Sequence, residues 1–278
     1  MEHKKHFSFL IAVAALLSVN IALPLVNHTV LADCTTQIKL PHGYTHALVK
    51  RADNGDRKAI KHLAPVSAKG MKSNQFKDDN ERDSRVVKPA HLSKADQKAM
   101  SLYALKVINS VRKQMHKPNW YYTRRCNHFA DSVAHYYYLD GASDWDEDHD
   151  VKAILKAAKK HGLNNKLGQV YEDMAALPIS TKFHGQTRTI KALKSAIYFN
   201  IKQMIFGGFY GYDSDFDNLS HYWEYGHARD LLSVGYDASL QKCEAAVSFS
   251  RLKNDPEKLS LHILNVPKAY IVNRRLFK

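Results

Sequence analysis

Cysteine is scarce in this chain: its 278 residues hold three, Cys34, Cys126 and Cys243. So few, with no close pairing along the sequence, exclude a disulfide scaffold and a thiolate zinc knuckle. Two readings remain open for Cys126 and Cys243, which both fall in the stretch read as folded: a disulfide formed in an oxidising exterior, or two buried thiols with Cys34 free on a tail. Internal repeats and low-complexity tracts are absent, which excludes solenoids and arrays. No recognisable nucleic-acid-binding motif occurs, and His221, Glu224 and His227 lack the His-Glu-x-x-His order of a zinc protease. Acidic side chains are in deficit, 27 against 41 Lys and Arg, for a formal net charge of +14. Such a field attracts anionic partners without specifying one, and salt screens it. For an exported chain the favoured partner is an anionic cell-wall polymer or another cell-surface component, with no specific nucleic acid.

What is present suffices for a core. Hydrophobic residues make up 45% of the chain and aromatics 10%, beyond what a wholly disordered protein carries. Residues 1–32 read as a signal peptide: Lys4 and Lys5 precede an almost wholly apolar run over 7–26, and Val30-Leu31-Ala32 offers a cleavage site. A retained anchor is the alternative, since the run approaches the roughly 20 residues that span a bilayer; Pro24 and the cleavage site favour removal. Asp33 before Cys34 excludes a lipoprotein signal. Residues 33–91, rich in Lys, Arg, Asp, Asn and Ser, read as a basic, largely disordered linker with at most a short helix over 56–63.

At residue 92 the pattern changes. Ser93 is a good N-cap with Asp96 three residues on, and Met100, Ala104, Val107, Ile108, Val111 and Met115 recur at helical spacing until Pro118. Further helices are expected over 127–139, 149–161 and 189–206, with Gly141, Gly162 and Gly207 as stops. Between the first two lies the acidic loop 144–150, which lacks the glycine and final glutamate of a calcium loop and reads instead as charge complementing a helix N-terminus. Strands are expected over 234–238, 244–252 and 259–266, an antiparallel meander. Helices first and strands later make the fold class α+β.

The chemistry-bearing stretch is 220–232, with His221, Glu224 and His227 ahead of the first expected strand. His149 and Glu172 are polar groups elsewhere that can face it. Glu172 sits in Gly168-Gln169-Val170-Tyr171-Glu172-Asp173-Met174, either a solvated helix turn or a cavity-facing carboxylate.

In order, Ile108-Asn109-Ser110-Val111-Arg112, His149-Asp150 opening a helix, Tyr171-Glu172-Asp173 and Gly226-His227-Ala228-Arg229-Asp230-Leu231-Leu232 resemble the CAP superfamily of cysteine-rich secretory, antigen 5 and pathogenesis-related domains. Over 92–265 the chain is most similar to the surface-exclusion domain of Gram-positive surface proteins. The resemblance implies an α-β-α sandwich with an antiparallel sheet over 92–278, and a cavity in which His149, Glu172 and His227 match the family's first histidine, first glutamate and second histidine. Asn200 stands where the second glutamate belongs, and Glu224 is the nearby carboxylate available to replace it. No cofactor is required; a divalent metal such as zinc on His149 and His227 is what some members hold. The implied function is an exported, non-catalytic binding module in surface exclusion, aggregation or adhesion, with a small-molecule or lipid ligand among its partners. The alternative is a metal-dependent hydrolase using the His/Glu cavity. The C-terminal Arg274-Arg275-Leu276-Phe277-Lys278 lacks the apolar segment of a wall-sorting signal, so retention is expected through charge or through an uncleaved signal segment.

Overall fold

Short polar side chains start most of the helices. Thr45 accepts the N–H of Leu48 ahead of α1 (His46–Asp53), and Asp56 accepts those of Lys58 and Ala59 ahead of α2 (Arg57–Ser73). Ser93 caps α3 (Lys94–Gln114), Thr123 caps α4 (Arg124–Asp140), Asp150 caps α5 (Val151–Lys160) and Thr189 caps α6 (Ile190–Phe206). Each cap satisfies N–H groups that a first turn leaves without an intrahelical acceptor. Two short helices follow, α7 (Gly226–Leu231) and α8 (Ala238–Gln241). The strands are β1 (Val86–Val87), β2 (Tyr121–Tyr122), β3 (Glu172–Ala176), β4 (Arg188–Thr189), β5 (Cys243–Arg251) and β6 (Leu259–Pro267). These come from a computed structural model that describes residues 37–278 apart from 79, 147, 180–186 and 209–214. The signal-peptide segment and Cys34 lie outside the described residues.

The main sheet runs β2-β5-β6-β3, with β5 and β6 as its antiparallel centre and β3 on a free edge. Successive side chains of a strand point to opposite faces, so each strand serves two cores. Ala245, Val247 and Phe249 of β5, with Leu261 and Ile263 of β6, pack into the cluster that holds Ile108 of α3, Ile197 of α6 and Leu63 of α2. On the other face Ala246, Leu264 and Met174 meet Phe129 and Tyr137 of α4 and Ile154 of α5. Helices therefore cover both faces, the α-β-α arrangement expected. β1 and β4 form a separate two-stranded ladder.

The structure corrects two expectations and decides two readings that were open. First, the basic linker read over 33–91 is folded from residue 37 onward. Ile38 is fully buried and donates its N–H to Ser110 Oγ at 3.1 Å, and α2 buries Ala59, Leu63, Ala64, Ala68 and Met71. That stripe is mostly alanine with lysines on the opposite face, so its hydropathy is low although its period is helical. A Cβ on Gly70 would stand 2.4 Å from the Phe206 ring, so only glycine lets α2 seat this closely on α6. Second, the strand expected over 234–238 is a turn: Ser233 and Gly235 have φ of 48° and 77°, in the left-handed region that breaks a strand. Third, Glu172 lies on β3, not on a helix turn. Fourth, Cys126 and Cys243 are separate buried thiols. Cys243 faces the α3 core while Cys126 packs in the α4 core, so the sheet stands between them.

Candidate functional site

The two carboxylates of β3, Glu172 and Asp173, are neighbours in sequence and therefore point to opposite faces of an edge strand. Each holds a histidine brought by a different helical layer. Glu172 faces the α4–α5 side, where its Oε2 accepts from Tyr137 Oη at 2.6 Å and His149 Nδ1 at 2.9 Å, and its Oε1 from His262 Nδ1 at 2.7 Å. Burial alone would raise the pKa of Glu172; the charges and hydrogen bonds of His262 and His149 outweigh it and bring it down to about 2. Tyr137 Oη also accepts the N–H of Asp150 at 2.8 Å, which fixes the start of α5 and with it His149. Gln169 completes the set, donating its amide to His149 Nε2 at 3.2 Å and to the Glu172 carbonyl at 2.6 Å.

Asp173 faces the α6–α7 side. Its Oδ1 accepts from His227 Nδ1 at 2.8 Å, while its Oδ2 is buried with no hydrogen-bond partner among the described residues. Burial disfavours the charge on His227, but the hydrogen bond and charge of Asp173, with Glu224 and Asp230 beyond, raise its pKa to about 9. His227 is thus an imidazolium at neutral pH. Glu224 accepts the Gly226 N–H at 2.5 Å through Oε1, with the backbone N–H of His227 also acting on the carboxylate, and its Oε2 too is buried without a hydrogen-bond partner among the described residues. Burial raises the Glu224 pKa, and that of Asp230, to which Tyr236 donates, is raised to about 6, also chiefly by burial.

The buried Arg112 of α3 holds this second half in place. Its guanidinium donates to the carbonyls of Leu231 and Pro118 and to Ser233 Oγ, at 2.5, 2.8 and 3.0 Å, and stacks on Trp120. Five donors in a rigid fork suit three or four converging acceptors as a lysine would not.

His149 and His227 meet around the free edge of β3, with ring centroids 6.4 Å apart. Of the residues expected to line a cavity, His149, Glu172, His227 and Glu224 come to this edge. Asn200 instead donates to the carbonyl of Ala176 at 3.0 Å and ties the end of β3 to α6. Carboxylates behind both Nδ1 atoms are the usual backing of metal-bound histidines, but the donor set does not fit a metal. The Gln169 amide covers His149 Nε2, and His227 would have to lose a proton to bind. Among the described residues no group of three His, Cys, Asp or Glu side chains is placed to hold an ion.

Sequence reasoning missed His262 and the roles of Asp173, Tyr137 and Gln169. Two signals were available: the lone imidazole in the apolar run of β6, and the two-residue period that sends adjacent carboxylates to opposite faces.

No family model and no curated protein matches the chain. Among solved structures, one titled as the CAP domain of Enterococcal PrgA is similar at 22% identity and a TM-score of 0.63, over 86% of this chain and 88% of that one. At that identity the likeness shows the fold.

Proposed function

We propose that this chain, whose fold is CAP-like, is an exported binding module at the bacterial surface, acting in surface exclusion, aggregation or adhesion by recognition at the β3 edge. One observation carries the reading: Asp173 Oδ2 and Glu224 Oε2, both among the charges acting on His227, are buried acceptors without a partner among the described residues. A buried acceptor left unmet costs about 1–3 kcal/mol. A small ligand bearing hydroxyl or amine donors relieves that cost, which makes the edge a recognition site for such groups. The +14 charge of the chain supports a coarser role, drawing the protein to anionic wall polymer from a distance. Among the described residues no helix is long and apolar enough to cross a membrane.

The test is retention on isolated cell walls in rising salt, comparing the unaltered chain with Asp173→Asn. The unaltered chain is expected to keep a salt-resistant fraction that the variant loses. Identical profiles would reject recognition at the edge, and binding in both that salt does not weaken would reject the electrostatic part.

A further inference from the structure

We propose that Ser250, His262 and Glu172 form a nucleophile triad opening on a cavity beside β5, suited to acyl transfer from short-chain esters of hydroxylated alcohols. The inference goes beyond the binding role of the β3 edge and stands on different observations. A cavity of about 360 Å³ lies where β5 runs on past its short partner β2, and Ser250, Arg251, Tyr138, Asp131 and Gln97 are among its walls. Ser250 Oγ is 2.8 Å from His262 Nε2, and His262 Nδ1 is 2.7 Å from Glu172 Oε1. A nucleophile within hydrogen-bond reach of a base that a carboxylate orients is recognised by geometry and role, not by order in the chain.

The tautomer follows from the acceptor. Glu172 is ionised and can only accept, so the Nδ1 proton of His262 points to it; whenever the ring carries no second proton, its Nε2 lone pair faces the Ser250 hydroxyl. Glu172 would also hold the imidazolium formed during transfer, in a place where His262 is fully buried. The oxyanion donor follows from strand parity. The outward N–H of Val247 is taken by Ser101 Oγ at 3.1 Å, so the N–H groups of Phe249 and Arg251 leave β5 on that same edge, toward the cavity. Arg251 is the residue after the nucleophile, a position that supplies an oxyanion donor in other serine hydrolases.

In the reaction Ser250 Oγ bonds to the acyl carbon while its proton passes to His262 Nε2. The ester C–O bond then breaks and the alcohol departs with that proton. Water repeats the sequence on the acyl-serine, releasing the acid and restoring the hydroxyl. Asp131, held by Gln97 and Asn127, and Arg251, stacked on Tyr138, supply polar partners for the alcohol.

Ser250 is 2% exposed, so a small probe is the right one. The full chain is treated with diisopropyl fluorophosphate, whose fluoride leaves as Ser250 Oγ bonds to phosphorus, and the product is peptide-mapped. One adduct per folded chain on Ser250 is expected, none after urea unfolding, and none in Ser250→Ala. Ser248→Ala, on the same strand face with its hydroxyl donated to the carbonyl of Ala130, should label as before. His262→Gln should slow labelling by at least about a hundredfold. Mapping the unaltered chain locates the site even if a variant fails to fold. No adduct on the folded chain, or one on any other residue, overturns the proposal.

Discussion

Glu172 and Asp173 share a strand and differ in completeness. Glu172 is fully buried and accepts three donors; Asp173 is almost as buried, yet one of its oxygens meets nothing among the described residues. A satisfied buried carboxylate rigidifies its neighbours, whereas a partly satisfied one carries a standing cost. On this comparison the α4–α5 side of β3 orders the fold and the α6–α7 side is left for a ligand.

Changing the carboxylates one at a time sharpens that contrast most. Glu172→Gln removes the charge that holds two imidazoles and a phenol, and urea unfolding should show a loss of about 3–5 kcal/mol. Asp173→Asn should cost less, about 2–3 kcal/mol, most of it the lost hold on the His227 charge, while abolishing the salt-resistant wall binding. Equal losses would end the distinction between the two sides.

The two sides should also separate on a pH axis. His227 has its pKa raised in the fold from about 6.5 to about 9, so its contribution is full below about 6.5 and is lost as pH rises through 9. With a shift of this size it is at most about 3 kcal/mol. Glu172 has its pKa lowered from about 4.5 to about 2, so its contribution is present above 4.5 and is lost as pH falls through 2. Stability measured by urea titration should fall at both ends, and Asp173→Asn should flatten the alkaline limb alone.

The smallest effect concerns the thiols, one on each side of the sheet. Cys126 and Cys243 are both unpaired and buried, and burial pushes the Cys243 thiol up to about 12. Dithiothreitol should leave the melting temperature unchanged, and both residues should alkylate only after unfolding. A drop in melting temperature on reduction would show a bond across the sheet.

Where the sequence carried a strong period or a strong cap, the fold was legible. Ser93 and the stripe from Met100 to Val111 give α3, and the alternating runs near 244–252 and 259–266 give β5 and β6 to within a residue. Of α2 only a short piece over 56–63 was legible, because its apolar face is largely alanine, whose burial is visible only against a partner such as Phe206. β3 was hidden because Glu172 and Asp173 break the apolar alternation a strand usually shows, each carboxylate being neutralised by a histidine distant in sequence. His149 and His227 were named as neighbours through family likeness; that they meet around a strand edge is a matter of topology that spacing does not carry.

The arrangement at that edge stands or falls on the protonation of His227. An NMR titration of its imidazole nitrogens should place the midpoint near 9, with a proton on both nitrogens at pH 7.5. A midpoint at or below the ordinary histidine value of about 6.5 would mean that Asp173 does not hold this ring, and that the unfinished side of β3 is not built as described.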